Sequence, residues 1–290
     1  MTLVLSVASP DFCVQVSDRR VVYLPDFKLK DDLAIKAIAY FNSMAWGYSG
    51  WATVEGRRTD LWMCDQLKMA PSASPLWATR MLLDGANRAL RAISYSHTFM
   101  GVGWGKEEGG PLCPRTAFVS NCHTSEGRLL SEPQPTFAHR VALQPKGATA
   151  VAWSGVELTG PEKARIVRGV RRIFGHRAGQ RAVMRWLSNQ IREVSGRLER
   201  QGRSVVGRDL LAICLPVDPV QKVEGAEQAF IFKGEPREGH ASFHDLREGG
   251  PIAADGYPHI VGPGYVVSLK GWEVTPNVSG GGDLQFDDEL

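Results

Sequence analysis

The segment MTLVLSVASPDFCVQVSDRR, residues 1–20, decides the prediction of the fold. Its apolar runs at 3–8 and 13–16 are separated by Ser-Pro-Asp, so they predict two short strands joined by a turn. Thr2 directly precedes the first run, and Asp18 follows the second. Because the strands of a hairpin run antiparallel, these two side chains belong to the same end of the pair.

Thr2 is the first candidate for chemistry. We expect Met1 to be cut off, because an initiator methionine is usually removed before a small residue, and this leaves Thr2 as the first residue. An N-terminal threonine carries a nucleophile and a base on one residue, since the hydroxyl attacks and the free α-amine takes its proton. The amine has a pKa of roughly 7.7–8.0, so it is a usable base near neutral pH without a histidine.

The composition is that of a globular protein with a sizeable core, with 290 residues of which 43% are apolar and 22% charged. No apolar run approaches the length of a membrane span, and the short apolar opening lacks the basic segment of a secretory signal. We therefore expect a cytoplasmic protein that does not bind a membrane. The five cysteines form no CxxC pair and no ligands have zinc spacing, so we expect no metal and no cofactor.

Charge is distributed unevenly, although the formal net charge is only +3. Basic residues far outnumber acidic ones over residues 162–208, whereas residues 283–290 are acidic. The basic stretch has two interpretations: a surface that meets RNA or another anion, or solvated helix faces and a subunit interface. We favour the second and expect no nucleic-acid partner, because no aromatic interleaving or nucleic-acid motif supports the first.

Helical and strand-like patterns follow one another in groups. Apolar spacing predicts helices at 56–69, 75–95, 161–174 and 180–198. Further strands are predicted at 33–41, 43–47, 98–104, 115–120, 138–143, 149–154 and 210–215. Paired helices between groups of hairpin-like strands favour layers over alternating βαβ units. We therefore predict an α+β fold, a four-layer αββα sandwich with two antiparallel sheets face to face and a helix pair outside each.

The predicted domain covers residues 1–216. Residues 217–290 have a weaker pattern and are expected to form a C-terminal extension, with strand-like runs at 229–233 and 264–269. The glycine-rich stretch from 279 and the acidic end after it are predicted to be disordered.

Six short motifs occur in a fixed order along residues 2–216. They are Thr2-Leu3-Val4, Ser17-Asp18-Arg19-Arg20, Lys36, Gly47-Tyr48-Ser49-Gly50, Ser154-Gly155 and Val206-Gly207. In this order and at this spacing from Thr2, they resemble the proteasome β-type and bacterial proteasome-like family of N-terminal-nucleophile (Ntn) hydrolases. The resemblance implies the αββα fold, hydrolysis of amide bonds by a threonine, and self-assembly into an oligomer.

The resemblance implies that Thr2 is the nucleophile and that Asp18, Lys36 and Ser154 are its catalytic partners. Physical reasoning agrees for Lys36, because a nearby ammonium lowers the pKa of the amine and favours loss of the hydroxyl proton. A lysine in an apolar strand is costly unless it is paired, and Asp18 is placed to pair with it. The alternative is a structural Asp–Lys pair that joins two strands without catalysis.

The resemblance also implies that the N–H of Gly50 stabilises the oxyanion and that Tyr48 lines the pocket for the substrate side chain preceding the cut. Each assignment has a structural alternative: Gly50 as a plain turn glycine, Tyr48 as a core residue and Ser154 as a turn or helix-entry serine. The sequence departs from the family at Arg203 and Val206, where the family has an aspartate and a serine.

Three functions from different classes remain open. The first is an N-terminal threonine peptidase in a self-assembled homo-oligomer, with a peptide or amide as substrate. The second is a non-catalytic relative of the same fold that serves in assembly or binds a partner, which the departures at Arg203 and Val206 favour. The third is a small-molecule amidase. A binder of anionic partners through residues 162–208 ranks last.

Overall fold

The structure is a computed structural model that describes residues 2–23, 28–31, 34–41, 43–72, 74–91, 93–106, 112–145, 147–176, 179–216, 242–246, 259–262 and 265–268. Its elements in chain order are β1 (Leu3–Ala8), β2 (Phe12–Asp18), β3 (Val21–Val22), β4 (Leu29–Asp31), β5 (Ala37–Tyr40), β6 (Met44–Ser49), β7 (Thr53–Val54), β8 (Arg57–Arg58), α1 (Thr59–Leu67), α2 (Pro75–Ala89), β9 (Thr98–Lys106), β10 (Leu112–Ser120), β11 (Ala138–Leu143), β12 (Ala150–Gly155), α3 (Gly160–Gly175), α4 (Gln180–Arg200), β13 (Leu210–Pro216), β14 (Ser242–Leu246), β15 (His259–Gly262) and β16 (Tyr265–Ser268).

All four predicted helices are confirmed, with differences at their ends. α1 begins at Thr59 rather than 56, because the preceding residues form the β7–β8 hairpin, whose turn at Glu55 and Gly56 has positive φ. α2 begins at Pro75, and the Ser74 hydroxyl accepts a hydrogen bond from the Leu76 N–H at 3.3 Å. Local capping chemistry therefore sets this start, as the Ser-Pro pair in the sequence indicates.

Two large sheets contain most of the strands. One has five strands in the order β12-β1-β2-β13-β14, with every neighbouring pair antiparallel. The other has seven in the order β11-β10-β9-β6-β5-β15-β16. Its described pairs are antiparallel except β15 and β5, which are parallel.

The two helix pairs cover different sheets. α3 and α4 pack on the five-stranded sheet through a first core that includes Leu5, Ile166 and Leu187. α1 and α2 pack on the seven-stranded sheet through a second core that includes Trp46 and Leu82. Among the described residues, the chain thus has a mixed α+β architecture with two large sheets, two small two-stranded sheets and four helices.

A third core, the inter-sheet core, joins residues of both sheets. It contains Cys13 and Ile213 from the five-stranded sheet and Ala39 and Val102 from the seven-stranded sheet. The Gln15 side-chain amide crosses between the sheets, because its Nε2 donates to Ser6 Oγ at 3.1 Å and to the Met100 carbonyl at 3.0 Å. Since β1 and β2 are buried on both faces, their sequences form nearly continuous apolar runs.

Short strands from the C-terminal region join both sheets. β14 pairs with β13, and β15 pairs with β5. The sequence assigned residues 217–290 to an extension, and the predicted run at 264–269 corresponds to β16. The predicted strand at 229–233 and the tail from 279 lie outside the described residues. Within the described part of the chain, no helix has the length and apolarity needed to cross a membrane.

The contact between β6 and β9 generates a prediction about Gly103. A Cβ at this position would lie 1.9 Å from the Ser43 carbonyl oxygen and 2.6 Å from Met44 Cα, and backbone atoms cannot turn away as a side chain does. Gly103→Ala should therefore destabilise the fold by about 3 kcal/mol in urea denaturation. Gly160→Ala is the control, because open space surrounds that position, and it should change the free energy of unfolding by less than about 0.5 kcal/mol. Equal stabilities of the two variants would contradict this packing.

Candidate active site

Thr2 is held at the end of the five-stranded sheet. Its side chain is buried, and its carbonyl accepts a hydrogen bond from the Val156 N–H at 2.9 Å, which extends the β1–β12 ladder by one residue. Gly155 permits this approach, because its φ is +114° and a Cβ there would lie 1.7 Å from the Thr2 carbonyl oxygen. The glycine of the Ser154-Gly155 motif is thus required by the backbone that positions Thr2.

Asp18 lies at the end of β2, beside the start of β1, and its carboxylate is fully buried. Oδ1 accepts the Leu3 N–H at 2.7 Å, and Oδ2 accepts the N–H groups of Arg20 at 3.0 Å and Gly207 at 3.2 Å. A Cβ on Gly207 would lie 2.9 Å from Arg20 Cβ, so only glycine brings this backbone so close. Backbone donors from three parts of the chain therefore converge on one carboxylate.

Lys36 supplies the counter-charge. It directly precedes β5, and its carbonyl accepts the Tyr48 N–H at 3.0 Å, which ties it to β6. Its buried ammonium donates to Asp18 Oδ2 at 3.0 Å, to Thr2 Oγ1 at 2.8 Å and to the Arg20 carbonyl. The structure thus brings together the Thr2 hydroxyl, the Lys36 ammonium and the Asp18 carboxylate. A cation at this distance favours negative charge on the hydroxyl oxygen.

Ser154 lies on β12, opposite Val4 of β1. Its hydroxyl is buried and shares a hydrogen bond of 2.6 Å with the Ser49 hydroxyl, which belongs to the other sheet. The sequence did not identify Ser49, because the predicted strand ended at residue 47, whereas β6 continues through Ser49. Side chains alternate between the two faces of a strand, so a strand extended beyond Gly47 would have placed residues 47 and 49 on the same face.

Tyr48 occupies the opposite face of β6. Its side chain is buried in the second core, and its ring is parallel to the His97 ring with centroids 6.1 Å apart. Burial raises the pKa of its phenol far above the ordinary value. The structure therefore places Tyr48 in the core under the helices, as the structural alternative had it, and not beside Thr2. The reason is that successive side chains of a strand point to opposite faces, so residue 48 lies on the face opposite to that of residues 47 and 49.

Gly50 follows β6 directly and has a φ of +125°. A Cβ there would lie 2.7 Å from His97 Nδ1 and 2.8 Å from the Ser96 carbonyl oxygen, so the turn requires glycine. His97 Nδ1 accepts the Trp51 N–H at 3.1 Å, and burial lowers the pKa of His97 to about 3. The neutral His97 ring therefore fixes the backbone N–H of Trp51, the residue that follows Gly50.

The loop before β13 contains Arg203 and Val206, the two positions at which the sequence departs from the family that it resembles. Val206 is buried in the first core, and its carbonyl accepts the Ser195 hydroxyl at 2.8 Å, whereas Arg203 is exposed. The Arg20 guanidinium donates to the nearby Ser204 hydroxyl. This loop contributes the Gly207 N–H, which donates to Asp18. A sequence cannot indicate this contact through side-chain types, because the donor is a backbone group. Among the described residues, no group of three or more His, Cys, Asp or Glu side chains is arranged to hold a metal ion.

Comparisons with known proteins give little information about the family or the activity of this chain. No protein-family model matches the sequence, and no curated protein matches it. Among solved structures, the chain is similar to an Anbu (Gly-1) mutant from Hyphomicrobium sp. strain MC1, with 12% identity and a TM-score of 0.45 over 74% of this chain and 82% of that chain. A likeness of this size decides neither fold nor activity.

The buried ion pair generates a prediction about stability. Lys36→Ala leaves the Asp18 carboxylate buried with only backbone donors, so it should lower the free energy of unfolding by about 3 kcal/mol. Lys68→Ala is the control, because Lys68 pairs with Asp65 at 2.7 Å on the surface, and it should cost less than about 1 kcal/mol. Chemical denaturation of both variants measures the difference, and a Lys36→Ala variant as stable as the control would show that the pair does not hold the strands.

His97 generates a prediction about pH. Its folded pKa of about 3 lies below the ordinary value of 6.5, so between these values the unfolded chain binds a proton that the folded chain does not. This contribution to stability is complete above pH 6.5 and is lost as pH falls towards 3. His97→Asn should be less stable at neutral pH but lose less stability between pH 7 and 5. His176→Gln is the control, because His176 is at an exposed position after α3. This variant should keep the wild-type dependence of the free energy of unfolding on pH. If the free energy of unfolding depended on pH equally in wild type and His97→Asn, the lowered pKa of His97 would be refuted.

Proposed function

We propose that the chain is an N-terminal threonine hydrolase that cleaves amide bonds with Thr2 as the nucleophile. One observation supports this most directly: the buried Lys36 ammonium lies 2.8 Å from Thr2 Oγ1 while it is paired with Asp18 at 3.0 Å. The third hydrogen of this buried ammonium needs an acceptor in any case, and the acceptor it contacts is the hydroxyl that an N-terminal threonine would use as its nucleophile.

The proposed base is the α-amine of Thr2, which becomes free when Met1 is removed. Because Thr2 Oγ1 accepts a hydrogen bond from Lys36, the hydroxyl proton is directed to a different acceptor, and the amine of the same residue is within reach. The Lys36 charge lowers the proton affinity of both the amine and the hydroxyl oxygen. Asp18 keeps that charge in place.

The proposed reaction has two steps. Thr2 Oγ1 attacks the carbonyl carbon, its proton passes through the amine to the leaving nitrogen, and an ester forms as the amide bond breaks. Water then hydrolyses the ester and restores the hydroxyl. We assign the oxyanion contact to the Gly50 N–H, in a turn that the contact with His97 fixes. We assign Ser154, oriented by Ser49, to the support of the amine.

We further propose that the layers form a four-layer αββα sandwich and that the chain works as a homo-oligomer. The separate cores of the two helix pairs and the inter-sheet core support the layer order. The homo-oligomer is supported by the exposed face of α3, which includes Arg168 and Arg171 and is available for lateral contacts between copies. Peptides are the proposed substrates, and profiling with peptide and small amide substrates distinguishes a peptidase from a small-molecule amidase.

A non-catalytic relative of the same fold is the second candidate. The observation that favours it is the loop before β13, where a buried Val206 and an exposed Arg203 stand in place of the family's serine and aspartate. In this case the Thr2–Lys36–Asp18 cluster would only join strands.

The N-terminus and Thr2 provide the test. The intact mass of the purified protein should correspond to a chain that begins at Thr2, and an irreversible threonine-directed inhibitor should add one equivalent. Thr2→Ala should abolish hydrolysis of an amide substrate while the chain remains folded. The free energy of unfolding should fall by about 1 to 3 kcal/mol, because the buried Lys36 ammonium loses one acceptor.

Thr2→Ser is the matched control, since it keeps the hydroxyl and the amine and should retain measurable activity. Activity in Thr2→Ala would rule out the mechanism. A chain that retains Met1 and whose Thr2 does not react with the inhibitor would favour the non-catalytic relative.

A further inference from the structure

A cluster of four side chains lies where β9 begins and β10 ends. It combines a thiol, an imidazole and two hydroxyls, which belong to Cys122, His123, Ser120 and Thr98. Thr98 and Ser120 are directly opposite each other in the β9–β10 pair, so their side chains share one face of the seven-stranded sheet. Cys122 and His123 follow β10 directly, and the proposed reaction of Thr2 uses none of the four groups.

The thiol is at the centre of this cluster. Cys122 Sγ lies 3.2 Å from Ser120 Oγ and 3.4 Å from His123 Nδ1. The Thr98 hydroxyl is its third contact, with Oγ1 at 3.5 Å from the sulfur. Hydroxyls and a protonated imidazole can all donate hydrogen bonds. A nucleophile and a base thus lie within reach of each other, and two hydroxyls contact the same sulfur.

The Ser120 hydroxyl is arranged to connect the imidazole and the sulfur. Its oxygen accepts the Cys122 N–H at 3.2 Å and lies 2.8 Å from His123 Nδ1. When His123 is protonated, its Nδ1–H donates to Ser120 Oγ or to the sulfur, and the Ser120 proton is then free to turn towards the sulfur. The Thr98 hydroxyl, 2.8 Å from Ser120 Oγ, can donate there as well. The geometry therefore favours an anionic sulfur beside a cationic imidazole.

Two other buried cysteines show the effect of burial alone. Burial raises the pKa of the Cys13 and Cys64 thiols far above the ordinary value. Burial acts in the same direction at Cys122, but hydrogen bonds with the His123, Ser120 and Thr98 side chains outweigh it and lower the pKa of Cys122 to about 7. His123 is the titratable group that faces this thiol, while β9 and β10 contribute neutral hydroxyls.

A small reagent can approach the sulfur. Cys122 keeps 7% of its surface exposed, whereas Cys13 keeps none. His123 beside it is only half-buried, and residues 125–129 of the following loop are exposed. The cluster therefore lies just below the surface, where burial excludes bulky reagents and admits small ones.

We propose that Cys122 is a nucleophilic thiol site for small peroxides, with His123 as the proton donor and the hydroxyls of Ser120 and Thr98 as the groups that hold the thiolate. With hydrogen peroxide, the thiolate sulfur attacks one oxygen, and an S–O bond forms as the O–O bond breaks. The leaving hydroxide takes a proton from His123 and becomes water. The sulfur loses two electrons to the peroxide, and Cys122 becomes a sulfenic acid.

The pH dependence of alkylation tests the cluster. The folded full-length chain is treated with iodoacetamide at a series of pH values, and mass spectrometry follows Cys122 and Cys113 separately. Alkylation of Cys122 in the wild type should have its midpoint near pH 7. In His123→Gln this midpoint should rise by about one pH unit, because the thiolate loses its cationic partner. Ser120→Ala removes a different member of the cluster and should also raise the midpoint.

Two controls accompany this measurement. Cys113 is the internal control, because it lies half-buried on β10 outside the cluster, and its alkylation profile should be the same in the wild type and in His123→Gln. His139→Gln is the control variant, because His139 is exposed on β11. It should leave the midpoint of Cys122 unchanged, and circular dichroism checks that each variant is folded.

Oxidation tests the reaction itself. Hydrogen peroxide is added to the full-length chain together with dimedone, which traps sulfenic acids, and the modified peptides are quantified by mass spectrometry. At neutral pH the trap should appear on Cys122 at least about fivefold faster than on Cys113, because a thiolate is the reactive form. His123→Gln should remove most of this difference.

Three outcomes contradict the proposal. The first is an alkylation midpoint of Cys122 that is equal in the wild type, His123→Gln and Ser120→Ala. The second is a Cys122 that stays unmodified in the folded chain while Cys113 reacts, because the thiol would then be closed to reagents. The third is alkylation with the expected midpoint but no trapped sulfenic acid on Cys122, because the site would then not accept peroxides.

Discussion

The buried carboxylate of Asp18 is the constraint on which the site depends. An isolated charge with no solvent exposure costs several kcal/mol, and the protein compensates with one cation and three backbone donors. The cation is Lys36, and the donors are the N–H groups of Leu3, Arg20 and Gly207. Because these groups come from the starts of β1 and β5, the end of β2 and the loop before β13, the carboxylate fixes both sheets relative to each other at one end.

The arrangement of the Lys36 ammonium determines what Thr2 can do. An ammonium has three hydrogens, and here they go to Asp18, to the Arg20 carbonyl and to Thr2 Oγ1. The hydroxyl oxygen is thus an acceptor with its own proton directed elsewhere. If Thr2 acts as proposed, structural pairing and activation of the nucleophile depend on one hydrogen-bond set, so changes at Asp18 or Lys36 affect stability and activity together.

The glycines of the motifs have a steric explanation that does not depend on function. Gly155 allows β12 to approach the Thr2 carbonyl, Gly207 allows the loop before β13 to approach Arg20, and Gly50 allows the turn to approach His97. Each position would place a Cβ within about 3 Å of another atom, which is closer than side-chain carbons normally lie. These close approaches bring backbone N–H and C=O groups, rather than side chains, to the site.

Short-range sequence patterns were sufficient to predict the four helices and several strands, and they identified the side chains with useful chemistry. Residues 3–8 were predicted as a strand and form β1 with the same bounds, and the four helices follow from apolar spacing and caps such as Thr159. Asp18 and Lys36 were identifiable as a pair because a lysine in an apolar strand requires a carboxylate. Thr2 was identifiable because removal of Met1 would make it an N-terminal threonine. Such signals are local, since they depend on a few neighbouring side chains and on solvation costs that apply in any fold.

Which groups meet in the site depends on pairing between distant segments of the chain. The parallel pairing of β15 with β5 joins residues more than 200 positions apart, and no local pattern encodes it. The length of β6 decided that Ser49 contacts Ser154 and that Tyr48 enters the core, because a strand reverses its side chains at every residue. The Gly207 N–H reaches Asp18 because β13 pairs with β2, which places the loop before β13 beside the end of β2. These contacts depend on register and on distant chain segments, and both are fixed only when the whole sheet forms.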